Sequence, residues 1–268
     1  MSQDTEDEDL ESNTGTDEEL LMHTYYTLPD KCKKYWQKRY KLFKKYDEGV
    51  YMTSELWYSV TPEAVARYTA KIVSKMLPDA KEILDVCSGG GGNSIQLAKY
   101  FDRVGVIDIQ PVNVNCTMHN AAVYGVDHKL WPVVGDWNKL SKDHEDGSLN
   151  TSWIPDDIKS RSPYPFDFIF CSPPWGGPSY KHKKFPFRLT EMEPFSVYEL
   201  CTSISKYAEN YGLFLPRTLD LDDLRDITET ISGVTGRCRV IYVNQNGFCI
   251  GMLALFGPAM TNTSDDQI

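Results

Sequence analysis

Lys81-Glu82-Ile83-Leu84-Asp85-Val86-Cys87-Ser88-Gly89-Gly90-Gly91-Gly92-Asn93 decides the fold, together with Ser94-Ile95-Gln96-Leu97-Ala98-Lys99-Tyr100 behind it. Residues 81–87 form a short apolar run that reads as a strand buried in a parallel sheet. The four glycines make a turn, and residues 94–100 read as a helix. A glycine-rich strand-to-helix turn lets the backbone approach a ligand closely. Many dinucleotide-binding folds share that feature.

Further along, Arg103–Asp108 is a second strand that ends in an acid, followed by a helix from Pro111 to Tyr124. A third strand, Lys129–Val134, leads into Gly135-Asp136-Trp137. Asp108 stands 23 residues after Asp85, where a carboxylate can accept hydrogen bonds from ribose hydroxyls. Asp136 ends the third strand, at the height where an adenine amino group can be read. Each acid alone also fits a strand-end cap. Together with the glycine turn they suit S-adenosylmethionine better than a nicotinamide dinucleotide. Asp85, four residues before Gly89, can support the glycine loop or meet the cationic methionine end of such a cofactor, and the second role is the expectation.

Residues 138–165 are polar and Pro/Ser-rich and read as a loop. Strand four, Phe166–Cys171, then stops at Ser172-Pro173-Pro174-Trp175-Gly176-Gly177-Pro178. Proline lacks an N–H and fixes φ, so a buried strand ends there. The chain turns over the carboxyl end of the sheet, where open α/β folds hold their ligands. Trp175 becomes a flat platform on a stiff loop, suited to a nucleobase. A second loop spans 176–194, followed by a helix from Pro194 to Tyr207, a strand Tyr211–Pro216 and a helix Asp220–Ile231. The strands Arg237–Asn244 and Gly247–Phe256 close the chain as a hairpin. Alternating strands and helices ahead of a hairpin predict an α/β, Rossmann-like doubly wound fold, mostly parallel with a terminal antiparallel edge.

Upstream of the first strand, charge is segregated. The net charge is −10, but residues 1–20 hold nine acids and no Lys or Arg, so the remainder is near −1. Residues 1–24 have the composition of a disordered acidic tail. Lys31 to Lys45 contains eight basic residues and no acid, interleaved with Tyr35, Trp36, Tyr40, Leu42, Phe43 and Tyr46. This predicts an amphipathic helix whose cationic face suits solvent and RNA phosphates equally. Thr61 and Pro62 predict the N-cap and first position of a helix that runs to Met76, with Glu63 in its first turn. The domain scheme is therefore an acidic tail 1–24, a small helical N-terminal extension 25–80, a catalytic body 81–258 and a flexible tail 259–268.

The seven cysteines form no C-x-x-C pair, so reduced thiols are expected and no metal is. No apolar signal segment opens the chain. Phe248 to Met260, interrupted by two glycines and a proline, is too short to span a membrane.

A Ser/Asn/Asp-Pro-Pro-aromatic sequence after strand four resembles the signature of methyltransferases that act on exocyclic amines. Five blocks carry a narrower resemblance: Lys34-Tyr35-Trp36-x-x-Arg39-Tyr40-x-Leu42-Phe43, Trp57-Tyr58-Ser59-Val60-Thr61-Pro62-Glu63, the glycine turn with Asn93, Ser172–Pro178 and Phe214-Leu215-Pro216-Arg217. Together they resemble the trimethylguanosine synthase family over about residues 31 to 257. The resemblance implies a class I S-adenosylmethionine-dependent methyltransferase that acts on guanine N2 of 7-methylguanosine (m7G) RNA caps.

By that resemblance, Trp175 stacks on 7-methylguanine, Ser172 and Pro173 position the N2 amine, and Pro174 lines the base site. Lys34 and Arg217 meet cap phosphates. Ser59, Thr61, Asp85, Gly89, Gly91, Asn93, Asp108, Asn120 and Asp136 hold S-adenosylmethionine. The same resemblance implies small nuclear and nucleolar RNA substrates, snRNP and snoRNP core proteins as further partners, a monomer, and a nuclear, nucleolar location. Ser88 and Gln110 depart from the family pattern, which usually has Cys and an acid there, and bear on cofactor affinity. Adenine or protein-glutamine methyltransferases usually carry Asn or Asp before Pro-Pro and lack the Lys34–Phe43 block. A non-catalytic cap-binding module predicts a damaged glycine turn, whereas Asp85, Gly89–Gly92 and Asp108 are intact.

Overall fold

The computed structural model describes residues 20–176, 188–189, 192, 196–232, 236–245 and 247–262. In chain order its elements are α1 (Asp30–Lys33), α2 (Arg39–Leu42), α3 (Leu56–Ser59), α4 (Glu63–Met76), β1 (Glu82–Val86), α5 (Gly92–Ala98), β2 (Arg103–Asp108) and α6 (Pro111–Val123). They continue with β3 (Leu130–Val134), α7 (Trp137–Leu140), α8 (Asp156–Lys159), β4 (Phe168–Cys171), α9 (Val197–Ile204), β5 (Tyr211–Leu215), α10 (Leu221–Ser232), β6 (Cys238–Gln245), β7 (Phe248–Phe256) and α11 (Pro258–Asn262).

The strands form one sheet in the order β3-β2-β1-β4-β5-β7-β6. The pairs among β1 to β5 are parallel, and β7 runs antiparallel to both β5 and β6. Alternate side chains enter two cores. Ile83, Val104, Phe168 and Phe170 join α4, α5 and α6 on one face, whereas Leu84, Val86, Ile169 and Cys171 join α9 and α10 on the other. Both faces are covered, which is why the parallel strands read as unbroken apolar runs. The strand order reverses between β1 and β4, so the ends of those two strands flank the crevice where such sheets take ligands.

Four expectations change. Residues 30–48 are not one amphipathic helix but α1, α2 and two 3-10 turns. Trp36 stacks on Trp57 at 5.8 Å while Tyr46 meets the same ring edge-on at 5.4 Å. Tyr35, one residue from Trp36, faces Tyr58 instead, at 6.4 Å. Rings that converge on Trp57 and Tyr58 need a chain that wraps, not a single stripe. The segment from Leu21 to His23, expected in the tail, is docked: the Leu21 carbonyl accepts from Met52 N–H at 2.9 Å and the His23 carbonyl from Tyr46 O–H at 2.9 Å. Residues 138–165 hold α7 and α8, because Ile154 and Ile158 are buried and Trp153 stacks near Trp131 and Phe166. At the other end, α11 buries Met260 completely, so ordered chain extends past residue 259.

No described helix is long and apolar enough to cross a membrane. Among the described residues all seven cysteines are free thiols, and no group of acids, His and Cys could hold a metal ion.

Candidate active site

β1 leaves the sheet through Cys87, whose φ of 63° is left-handed, a costly conformation for a non-glycine residue. The turn that follows is packed from two sides. A Cβ on Gly91, at φ 81°, would stand 3.2 Å from the backbone of Thr117 in α6. A Cβ on Gly92 would stand 3.1 Å from the Thr61 carbonyl in the N-terminal extension. A side chain at either position would crowd the element packed on the turn, and at Gly91 it would also strain the backbone.

Asp108, at the end of β2, ties the turn to the next loop. It accepts from Gly89 N–H at 2.9 Å, Gln110 N–H at 2.9 Å and Asn113 Nδ2–H at 3.1 Å. Gln110, which departs from the family pattern, thus contributes its backbone. Asp136 caps α7 by accepting from Asn138 N–H at 3.0 Å. It was expected to end strand three, and it lies two residues past it.

Asp85 is fully buried on β1 and accepts from Ser94 Oγ–H at 2.5 Å. Burial pushes its carboxyl up to about 7, with the charge of Asp108 acting in the same direction and the Ser94 bond opposing it. Its other oxygen, Oδ1, has no hydrogen-bond partner, and neither do Ser88 Oγ and Asn93 Oδ1 nearby in sequence. Asn93 uses its amide N–H on Thr61 Oγ1 at 3.1 Å. Thr61 therefore serves the glycine turn and does not cap α4, whose N-cap is Pro62. Three orphaned buried acceptors beside a glycine turn fit a ligand carrying several N–H donors, such as the ammonium end of S-adenosylmethionine.

Asn120 is a correction. It is fully buried, and its side chain is used up by the protein. Oδ1 accepts from Tyr51 N–H at 2.7 Å, while Nδ2 donates to the Tyr51 carbonyl and the Gly90 carbonyl, each at 2.9 Å. Both amide hydrogens are committed, so no donor is left for a cofactor. Asn120 clamps the N-terminal extension to the glycine turn. Asn120→Ala would leave three backbone groups without their partner, the buried Gly90 carbonyl and the two part-buried groups of Tyr51, at up to about 1–3 kcal/mol each before relaxation. The expected result is a loss of roughly 2–4 kcal/mol in denaturant unfolding, with faster amide exchange at Tyr51.

Across the crevice, Ser172 is half-buried, Pro173 buried and Pro174 exposed. Trp175 is half-buried, its Nε1–H donates to the Phe214 carbonyl of β5 at 3.2 Å, and its ring meets Phe214 at 5.5 Å. Ser59 is exposed and turns its hydroxyl back to the Glu55 carbonyl at 3.0 Å. Lys34 is exposed, with Nζ 5.1 Å from the Tyr35 ring centroid. Arg217, just past β5, is exposed and donates to the Cys249 carbonyl at 3.2 Å. The basic loop 176–194 lies outside the described residues except Gly176, Arg188, Leu189 and Met192, and Arg188 pairs with Asp220 and Asp223.

Ser94, Thr117 and Phe214 carry the site and had no role in the sequence reading. Ser94 had a signal: a polar residue in the first turn of a helix that sits against β1. Thr117, which donates to the Gly89 carbonyl at 2.7 Å, had none.

The sheet order and the glycine turn at the switch point define a class I S-adenosylmethionine-dependent methyltransferase. The likeness to a solved O-methyltransferase, TomG of Streptomyces achromogenes in complex with SAM, agrees in fold: TM-score 0.50 at 15% identity, covering 82% of this chain and 88% of that one. Residues 80–259 match the family model described as RNA cap guanine-N2 methyltransferase. The trimethylguanosine synthase of Saccharomyces cerevisiae is 37% identical over 230 residues, 85% of this chain and 68% of that protein. That of Schizosaccharomyces pombe is 35% identical over 202 residues, 74% of this chain and 75% of that protein. The chain belongs to the RNA cap guanine-N2 methyltransferase family.

Proposed function

We propose that this protein converts the m7G caps of small nuclear and nucleolar RNAs into 2,2,7-trimethylguanosine caps. It acts as a monomer in the nucleus, chiefly in the nucleolus, with snRNP and snoRNP core proteins as further partners. The observation that carries the reading is the meeting of two half-sites at one switch point: the glycine turn after β1 and Ser172-Pro173-Pro174-Trp175 after the adjacent β4.

S-adenosylmethionine, when bound, supplies a methyl group on a sulfonium, open to in-line displacement. The chain supplies orientation. Asp85, Ser88 and Asn93 are assigned to its polar end, the backbone of Gly89 and Gly91 to close approach, Asp108 to the ribose and Asp136 to the adenine, with Ser59 and Thr61 over the site. Ser172 Oγ and the Pro173 carbonyl accept from the guanine N2–H groups, which turns the nitrogen lone pair toward the donor. Pro174 and Trp175 hold the ring, whose positive charge strengthens stacking on an aromatic face. Lys34 and Arg217 meet the cap phosphates. Rate then comes from proximity and alignment. A methylated aryl amine sheds its proton readily, so no strong base is required. Residues 25–80 act as the extension over cap and cofactor, and 81–258 as the catalytic body.

The test is transfer from labelled S-adenosylmethionine to m7GTP, GTP and an adenine-containing oligonucleotide. Label in N2-methylated m7GTP is expected. Label in GTP or adenine with none in m7GTP rejects the cap reading.

A further inference from the structure

Beyond the crevice, the cations of the N-terminal half differ in whether they are paired. Lys33, Arg39 and Lys45 pair with Asp30, Asp47 and Glu48. Lys41, Lys44, Arg67, Lys71 and Lys99 are exposed and make no ion pair among the described residues. These five converge. Lys44 N–H donates to Glu63 Oε2 at 2.8 Å, which seats Lys44 at the start of α4. Arg67 and Lys71 follow Glu63 at i+4 and i+8, on the same helix face. Tyr124 O–H donates to Glu63 at 2.6 Å, and Lys99 Nζ lies 4.9 Å from the Tyr124 ring centroid. Lys41 rides on α2, which packs on α4.

Partial burial of its ammonium against the Tyr124 ring holds Lys99 below its usual range, and Arg67, Lys44 and Lys45 push it the same way, against Glu63. Glu63, with an exposure of 6%, is spent on protein donors. Like charges gathered in excess oppose the folded state, and a polyanion laid across them relieves that repulsion. Two exposed aromatics lie in the same segments: Tyr68, on α4 one residue after Arg67, is 44% exposed, and Tyr100, one residue after Lys99, is 42% exposed. Cations that track a backbone beside rings that accept bases are what a single strand requires.

We propose that Lys41, Lys44, Arg67, Lys71 and Lys99 form a second RNA-binding strip that carries the phosphodiester backbone of the nucleotides following the cap. The proposal rests on the capped-RNA reading for the identity of the ligand. It explains why the basic run continues past Lys34 and Lys38, which flank Tyr35 at 5.1 and 5.9 Å. A cap analogue alone does not reach the strip, so the strip adds affinity only for an RNA chain.

The test compares m7GTP with a short single-stranded m7G-capped RNA in parent protein and in Arg67→Gln/Lys71→Gln. Loss of two phosphate contacts is expected to raise KM for capped RNA by roughly tenfold and to flatten the log-affinity against log-salt slope by about 1.4. Kinetics with m7GTP stay unchanged. Unchanged KM for capped RNA, or an equal loss with m7GTP, overturns the proposal. Tighter RNA binding by the variant also overturns it, because the strip would then seat the acidic residues 1–19. Binding of an uncapped RNA, read by fluorescence anisotropy, needs no turnover and is expected to weaken in the variant. It therefore separates failure of the strip from failure of the cap chemistry. Melting of the variant beside the parent checks the fold.

Discussion

Replacing Trp175 by alanine is expected to weaken m7GTP binding about 100-fold while S-adenosylmethionine still binds, since stacking is worth ~1–3 kcal/mol per base and a cationic ring adds to it. The ring is held from the side of β5, through Nε1–H to the Phe214 carbonyl and through contact with the Phe214 side chain. The glycine turn follows β1, on the far side of β4 from β5. Calorimetry with each ligand reads the two sites separately. Trp175→Phe keeps a stacking face and loses the donor, so it should recover most of the cap affinity. Discrimination between m7GTP and GTP should fall in the alanine variant, because only the 7-methylated base carries the positive charge. Comparable losses for cap and cofactor would make Trp175 a packing residue of the crevice, a role its contacts with both cores also permit.

What the sequence made legible follows from where each element is buried. Strands covered on both faces read as apolar runs, so β1, β2, β4, β5 and β7 were recognisable within one or two residues. The glycine turn and the Pro-Pro stop depend on backbone chemistry that the residue names state directly. The extension was misread because cations interleaved with aromatics imitate a helical stripe. One sign against it was visible: Tyr35 and Trp36 are adjacent, and neighbouring residues on a helix do not face the same way. Asn120 was beyond reach for a different reason. A buried amide that satisfies backbone groups and one that meets a ligand have the same letter, and its partner Tyr51 lies 69 residues away. Trp153, Ile154 and Ile158 likewise sit in a polar stretch, too few to set a period.

The two misreadings bear on the same joint. Asn120 joins Tyr51 to Gly90, Thr61 joins Asn93, and Glu63 joins Lys44 to Tyr124. These buried and part-buried polar contacts tie the N-terminal extension to the cofactor side of the sheet. A change in the glycine turn is therefore felt in the extension that carries Lys34, and the turn and the extension are positioned together.

Asp85→Asn is expected to lower S-adenosylmethionine affinity by roughly 100-fold, about 3 kcal/mol, by removing the buried partner of a cationic group. The pH dependence makes this specific. In the ligand-free protein the Asp85 carboxyl is pushed up to about 7, chiefly by burial, against about 4 in an unfolded chain. A raised folded value means that the neutral acid favours folding. Its contribution is complete below pH ~4 and is lost as pH rises through about 7. The ligand-free protein should thus lose a few kcal/mol of stability from this group across that window, and Asp85→Asn should remove that part of the slope. Binding acts in the opposite sense, because a cation beside Asp85 favours the carboxylate. Cofactor affinity should rise with pH up to about 7 and level off above it, with proton release on binding below that point. Calorimetry in buffers of different ionisation enthalpy counts the proton, and melting without ligand reads the folding side. A variant with weakened binding but the parent's pH slope in both measurements would mean that Asp85 acts by supporting Ser94 and the turn, not by meeting charge.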